Sequence, residues 1–286
     1  MNDYIIFTDT ACDLSPCTLK KWGIHSCSLT YTFDGEEHSY LNHELPTAEF
    51  YRRMRSGKTA KTSAVNPDVF ARAFEQALQC GNDVLYLGFS SALSTTYQSA
   101  CIAAEDLRDR YPDRKILTVD TLAASAGYGL LAYLTARKKK NGATIEEAAA
   151  FAQQCKGNVC HWFTVDSLTY LKRGGRISGA TALMGSALDI RPVMHVDSVG
   201  KLTPVKKVRG RKASLQALAD RIAATAQKDT PVFISHADCS GDAALLSDLI
   251  WQTCGLSTHM ITNVGPVIGA HAGPGTLALF FLGSER

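Results

Sequence analysis

The chain has 286 residues and a mass of 30.9 kDa, room for one large domain or two of ordinary size. Hydrophobic residues at 45% against charged residues at 20% exclude a disordered chain, and 22 Gly with 9 Pro exclude a fibrous one. Thirty Lys and Arg against 27 Asp and Glu leave +3, too little for charge alone to imply a polyanionic partner.

The first half alternates short apolar runs with helical patterns. Residues 4–8 predict a strand, and Ser15 followed by Pro16 marks a helix start. Residues 25–33 read as one further strand, closed by the turn pair Asp34-Gly35. Thr47 opens a helix through Arg55, a polar loop follows, and Asn66-Pro67-Asp68 opens another to about Cys80. The run 83–88 (DVLYLG), continuously apolar after Asp83, predicts a strand. A long helix over 92–111, a strand over 115–119 and a helix over 122–140 come next. Thr144 and Glu147 form a capping box for one more helix. Strands separated by helices predict a parallel sheet covered on both faces.

The second half differs. Residues 159–165, 191–196 and 201–208 predict strands, the last two joined by the short turn 197–200 and therefore antiparallel. A helix over 213–227, a strand over 231–235, a helix over 243–254 and strands over 257–264 and 276–282 complete the chain. The expected fold class is two-domain α/β. An N-terminal doubly wound parallel sheet spans residues 1–157, and a C-terminal α/β domain with a mixed sheet spans 158–286.

Nine cysteines, scattered and without a Cys-x-x-Cys pair, argue against a disulfide framework and fit a reducing compartment. The first residues lack the basic region of a signal peptide. Residues 249–284 contain no Asp, Glu, Lys or Arg. Gly and Pro at 255, 265, 266, 269 and 273–275 nevertheless cut that stretch into pieces far short of the ~20 apolar residues a membrane span needs. A cytoplasmic protein with no integral membrane segment is expected.

Chemistry is expected in small-residue polar loops beside the sheet, the ligand-binding edge of α/β folds. Three stand out: Thr8–Asp13, Lys61–Ser63 and Ser90–Thr96. Their hydroxyls, with the free N–H groups of a helix start, either cap helices or receive a carboxylate or phosphate. Gly127-Tyr128-Gly129-Leu130-Leu131-Ala132 matches a dinucleotide fingerprint but lies inside a helical pattern, which favours close helix packing instead. Gly88-Phe89-Ser90-Ser91-Ala92 is an incomplete nucleophile elbow; with His271 or His236 and Asp9 or Asp120 it allows a serine hydrolase acting on an acyl ester to be written as the alternative function. His271, in a tight turn before an apolar strand, is either a satisfied core histidine or a donor to an anion. No Cys or carboxylate spacing completes a metal set around His38 and His43, so neither metal nor cofactor is expected. The basic run 206–212 lacks interleaved aromatic residues, so no nucleic-acid partner is expected; a solvated face or a docking patch remains.

Taken in order, 8–14 (TDTACDL), 61–63 (KTS), 90–100 (SSALSTTYQSA), 167–178 (SLTYLKRGGRIS), 188–194 (LDIRPVM), 206–213 (KKVRGRKA) and 271–275 (HAGPG) resemble the DegV family of bacterial acyl-binding proteins. The resemblance covers nearly the whole chain. It implies a non-enzymatic lipid-binding protein that encloses one long-chain fatty acid between two domains. It further implies that an ATP-dependent fatty acid kinase subunit phosphorylates the carboxylate to an acyl phosphate for phospholipid synthesis. Carried over, the carboxylate ligands fall on Thr62 and Ser94, with Ser63 and His271 beside them, Arg173 or alternatively Arg176 completing the hydrogen-bond network (Arg173 being favoured), and Thr95 and Gly273 in the head-group loops. Arg176, Arg209 and Arg211 are the residues expected to face the kinase. Three positions depart from the family pattern: Thr95 replaces a usual Gly, Ala64 a usual Gln and Cys12 a usual Ala. Thr95 adds bulk beside Ser94.

Overall fold

The computed structural model describes residues 3–177, 189–284 and 286. Ser178 and Leu188, at the ends of two motifs above, lie outside the described residues. The first half runs β1 (Tyr4–Asp9), α1 (Pro16–Trp22), β2 (Ile24–Cys27), β3 (Thr30–Phe33), β4 (Tyr40–Leu41), α2 (Thr47–Arg55) and β5 (Ala60–Ser63). It continues through α3 (Pro67–Gln79), β6 (Asp83–Gly88), α4 (Thr96–Arg110), β7 (Ile116–Asp120), α5 (Ser125–Lys140) and α6 (Ile145–Cys155). The second half holds β8 (Val159–Thr164), α7 (Thr169–Arg173), β9 (Ile190–Val196), β10 (Leu202–Arg209), α8 (Arg211–Thr225) and β11 (Val232–His236). Last come α9 (Ser240–Cys254), β12 (Thr258–Asn263), α10 (Pro266–Ala272) and β13 (Leu277–Leu282).

Strands β2-β1-β6-β7 form a parallel sheet in that order. All six residues of β6 are buried, as a central parallel strand covered on both faces requires. Because β2 lies on one side of β1 and β6 on the other, the strand order reverses between β1 and β6. The loops after those two strands therefore flank a crevice, the usual ligand position in such a sheet. The second sheet, β10-β9-β8-β13-β11-β12, is mixed: β11 and β12 are parallel and every other neighbouring pair is antiparallel.

Helix α5 packs between the halves, touching β8, β11 and β13 as well as the turn after β1. Its first half is buried all round, from Ser125 to Ala132, and only its last turns, Arg137–Lys140, carry charge. The two glycines of the apparent dinucleotide fingerprint permit this fit. A methyl group on Gly127 would strike the His161 and Phe280 rings, and one on Gly129 would come within 2.8 Å of the Cys12 carbonyl oxygen. The motif is a packing device.

Three expectations require correction. Residues 25–33 are two strands in different sheets. The Leu29 N–H goes to Thr10 Oγ1 (3.0 Å) and its carbonyl accepts from Asn42 N–H (3.2 Å), so the first ladder ends and a second begins. The polar loop containing Lys61–Ser63 is strand β5, paired antiparallel with β3 in a small sheet β4-β3-β5. The tight turn expected over residues 270–275 around His271 is helical at its start: 270–272 are the last residues of helix α10, in which Pro266 occupies the first position and which Gly273, at φ +82°, ends.

Candidate functional site

A cavity of about 460 Å³ opens between the two halves. Its walls are the loop after β6, strand β5, helix α10, the start of α5, and inward residues of β8, β9, β10 and β13. Most of the lining is apolar: Leu93, Phe163, Val196, Leu202, Val267 and Phe280 face it. Among the described lining residues Arg176 alone bears a permanent charge.

One group of polar side chains centres on Thr62 and His271. On β5 the side chains alternate, so Thr62 turns inward while Lys61 and Ser63 are exposed. The Thr62 hydroxyl lies 2.8 Å from His271 Nε2. His271 sits in the last turn of α10, its Nδ1 buried without a hydrogen-bond partner among the described residues. Gly174 makes this possible, because a Cβ there would collide with that nitrogen. Burial, aided by the nearby Arg176 guanidinium, pushes the imidazole down to about 4, so it is neutral at pH 7. Arg176 lies at the rim, donating from Nε to the Leu93 carbonyl (3.2 Å) and from Nη1 to the Gly174 carbonyl. That bond ties it to the loop carrying Ser94.

Ser94 has two roles at once. Its Oγ accepts from Thr96 N–H (3.2 Å) at the start of α4 and lies 2.9 Å from Thr96 Oγ1, and it lines the cavity. The helix-capping and ligand-facing alternatives coexist here. Thr95 precedes α4 at φ −77°, an ordinary value for any residue, and its side chain also lines the cavity. The N-terminal end of the 15-residue helix α4, with its positive dipole, thus borders the cavity.

The remaining expected residues lie elsewhere. Ser63 is exposed on the outer face of β5. Arg173 is exposed, with its guanidinium 5.8 Å from the Tyr170 ring centroid, and Gly273 packs beneath that same ring; neither lines the cavity. Arg209 is exposed on the edge strand β10. Arg211 is held inward by Asp242 (2.9 Å) and Asp166 (3.6 Å).

The Thr8–Asp13 loop supports the site from behind. Burial raises Asp9 to about 6; its carboxylate accepts from the Tyr86 hydroxyl (2.7 Å) and from Phe89 N–H (3.1 Å), fixing the loop after β6. Asp13, raised by burial to about 7, accepts from Ser125 Oγ (2.5 Å) and from Gly265 N–H (2.9 Å), joining the first turn of α5 to that of α10.

Sequence reasoning missed His161 and Ser125. His161 lines the cavity while Nδ1 donates to the Val159 carbonyl (2.9 Å), leaving Nε2 to accept from Ala124 N–H (3.4 Å). Burial drives its pKa well below the ordinary value, so it is a neutral wall group. The alternation of β8, which turns 161 and 163 to one face, is the signal that points to it. No hydrogen bond joins Ser90, Ser91 or Ser94 to a histidine among the described residues; the Ser90 hydroxyl donates to the Gly200 carbonyl (2.9 Å). No group of three or more His, Cys, Asp or Glu suited to a metal occurs among the described residues.

A family model described as "Uncharacterised protein, DegV family" matches residues 4–284. The chain belongs to the DegV family. A DegV domain-containing protein of Clostridium perfringens is 42% identical to it over 289 residues, covering 100% of this chain and 99% of the relative. A DegV family protein from Thermus thermophilus, described for its fatty acid binding, superposes with a TM-score of 0.88 at 29% identity, over 99% of this chain and 100% of the other. A Thermotoga maritima protein described as having fatty acid binding function gives a TM-score of 0.87 at 28% identity, over 99% and 100% of the two chains. The mixed α/β architecture, parallel in the first half and mixed in the second, is that of these DegV neighbours.

Proposed function

We propose that this DegV-family chain binds one long-chain fatty acid in the cavity between its halves, with the carboxylate at Thr62, Ser94 and His271. The observation that carries the reading is the composition of the cavity wall: apolar over most of it, with the Thr62 hydroxyl bonded to a neutral imidazole, His271, and the one guanidinium of the lining, Arg176, nearby. Burying an acyl chain contributes about 0.8 kcal/mol per methylene, on the order of 10 kcal/mol for sixteen carbons before the costs of association. A carboxylate drawn into such a site needs donors to offset its desolvation. The Thr62 and Ser94 hydroxyls, the His271 ring and the α4 N-terminus supply them. Fatty acid binding in the Thermus and Thermotoga relatives supports the assignment.

The chain acts in the cytoplasm as a presenting protein and not as the catalyst. A partner kinase carrying ATP would phosphorylate the carboxylate to an acyl phosphate, and phospholipid synthesis would use the product. The rim position of Arg176 leaves it exposed beside the head group, where an incoming phosphoryl donor would arrive. Arg209 is exposed for docking, whereas the Arg211 guanidinium is already committed to Asp242 and Asp166.

Native mass spectrometry of the purified protein, followed by organic extraction, is the first test. The expected outcome is a long-chain acid released on denaturation, or saturable uptake on back-titration. Thr62→Val and Ser94→Ala should each weaken binding by roughly tenfold or more, the value of one hydrogen bond to a charged group. Thr62→Val should leave the melting temperature nearly unchanged. Ser94→Ala also removes the acceptor of the Thr96 N–H and should cost about 1 kcal/mol of stability while the chain stays folded. Unchanged affinity in both variants would refute the carboxylate assignment.

A further inference from the structure

Two further polar side chains, Ser125 and His161, enter the cavity wall away from His271. Asp13 joins the Ser125 hydroxyl to the Gly265 N–H at the start of α10, whereas His271 lies in the last turn of that helix. From Gly265 to His271 the helix rises about 9 Å. Strand β13 runs the same way. Its Phe280 pairs with His161, while Thr276, just before the strand, donates to the Ala272 carbonyl beside His271 (2.9 Å). From Thr276 to Phe280 the backbone advances about 13 Å. Ser125 and His161 meet at the start of α5: Ala124 N–H reaches His161 Nε2 (3.4 Å), and Ser125 is the next residue. The bare Gly127, where a Cβ would strike that same nitrogen, lets the ring lie against the first turn.

Both side chains are buried, and both present acceptors. Burial keeps the His161 ring neutral, and its one hydrogen, on Nδ1, goes to the Val159 carbonyl (2.9 Å), so Nε2 carries a lone pair. The bond it accepts from Ala124 N–H is longer than ordinary. The Ser125 hydroxyl gives its hydrogen to Asp13 (2.5 Å), and Ser235 Oγ, at 3.0 Å, faces one of its two lone pairs. The neighbouring wall on the same strands is apolar: Phe163 on β8, Ala278 and Phe280 on β13. A chain of methylenes offers these acceptors nothing, whereas a hydroxyl offers a hydrogen. The oxygen of that hydroxyl would in turn face the first-turn N–H groups of α5, which opens without a side-chain cap.

We propose that Ser125 and His161 form a second polar station in the cavity, which selects a fatty acid carrying a hydroxyl group in mid-chain. At ~1.5 Å per carbon–carbon bond, a separation of about 9 Å or more places that hydroxyl at least roughly six bonds from the carboxylate. The inference rests on the fatty-acid assignment and names the class of acid.

The test uses the full chain freed of bound lipid. Calorimetric titration compares octadecanoic acid with its isomers hydroxylated beside the carboxylate and in mid-chain. The mid-chain isomer should bind at least tenfold tighter than either of the others, as expected of a buried site built to pair with a hydroxyl. His161→Leu should abolish that ratio, and His161→Gln, whose amide oxygen restores an acceptor, should recover part of it. Ser125→Ala carries the same comparison if the His161 variants do not fold. The readout is the ratio between acids within one variant, so a packing change that weakens all of them alike leaves it unmoved. Octadecanoic acid binding as tightly as the mid-chain isomer, or a ratio unchanged in the variants, overturns this proposal alone. Failure of every acid to bind would overturn the fatty-acid assignment with it.

Discussion

His271 shows how one side chain can be tuned by its surroundings. Its pKa in the folded chain, about 4, lies below the ordinary 6.5, because a charged ring would be desolvated and close to Arg176. As pH falls from about 6.5 toward 4, the unfolded chain takes up a proton that the folded chain refuses, so folding stability drops over that window. His271→Gln should remove part of that drop. Denaturant midpoints of wild type and variant, measured between pH 7.5 and 4.5 without ligand, should converge as the pH falls; parallel curves would contradict this account. At this scale the motifs drew attention to the hydroxyls of Thr62 and Ser94 and the imidazole of His271, three residues that line one cavity. The sequence could not separate Arg173 from Arg176. The two are three residues apart, and only the end of α7 at Arg173 and the turn at Gly174 and Gly175 decide which one reaches the rim. The apolar lining was invisible for a related reason: Phe163, Val196 and Phe280 are ordinary strand residues until the pairing assigns them a face.

Among the elements, α10 depends most on side chains from elsewhere. Its first turn is held by Asp13, which accepts from Gly265 N–H, and by Asn42, which accepts from Val267 N–H at 2.9 Å. Its preceding carbonyl, Val264, accepts from the Tyr51 hydroxyl at 2.7 Å. Asp13→Ala would leave the buried Ser125 and Gly265 donors without this acceptor, at a cost of about 2–4 kcal/mol. Asp13→Asn keeps an acceptor for Gly265 and should recover most of the loss. Chemical denaturation of the two variants checks this, and equal destabilisation would mean that the acceptor is not what matters. Elements with strong local signals were legible, such as the apolar β6 and the Thr144 capping box, whose two reciprocal bonds are both present. Strand β5 and helix α10 were not. One is polar because only alternate residues are enclosed, and the other is built from Gly and Pro that read as turn residues until their positions at its start and end are known.

Across the whole molecule, one apolar core joins the halves. Phe163, Met194, Phe233 and Phe280 of the second half belong to the same buried cluster as Ile6, Leu85 and Tyr128 of the first, while a separate cluster lies under α8 and α9. Thermal unfolding should therefore be one cooperative transition, with calorimetric and van't Hoff enthalpies in agreement. Two resolved transitions would mean that the halves are energetically independent. The division of the chain into a helix-rich first half and a hairpin-bearing second half was legible from element order. Helix α5 as the shared partner of both sheets was not, because burial all round looks the same in a sequence whichever layers supply it.

The placement of Thr62 on a strand has a consequence for how this protein can vary. Had it stood on a loop, insertions nearby could be absorbed by bending. On β5 its neighbours are Lys61 and Ser63, both pointing to solvent. A one-residue slip against β3 would leave the small sheet paired yet present an ammonium group, or a serine hydroxyl, where the threonine stood. Changes in length between Phe33 and Ala60 are thus compatible with the site only if they preserve the phase of the strand, a parity constraint that the fold itself does not impose.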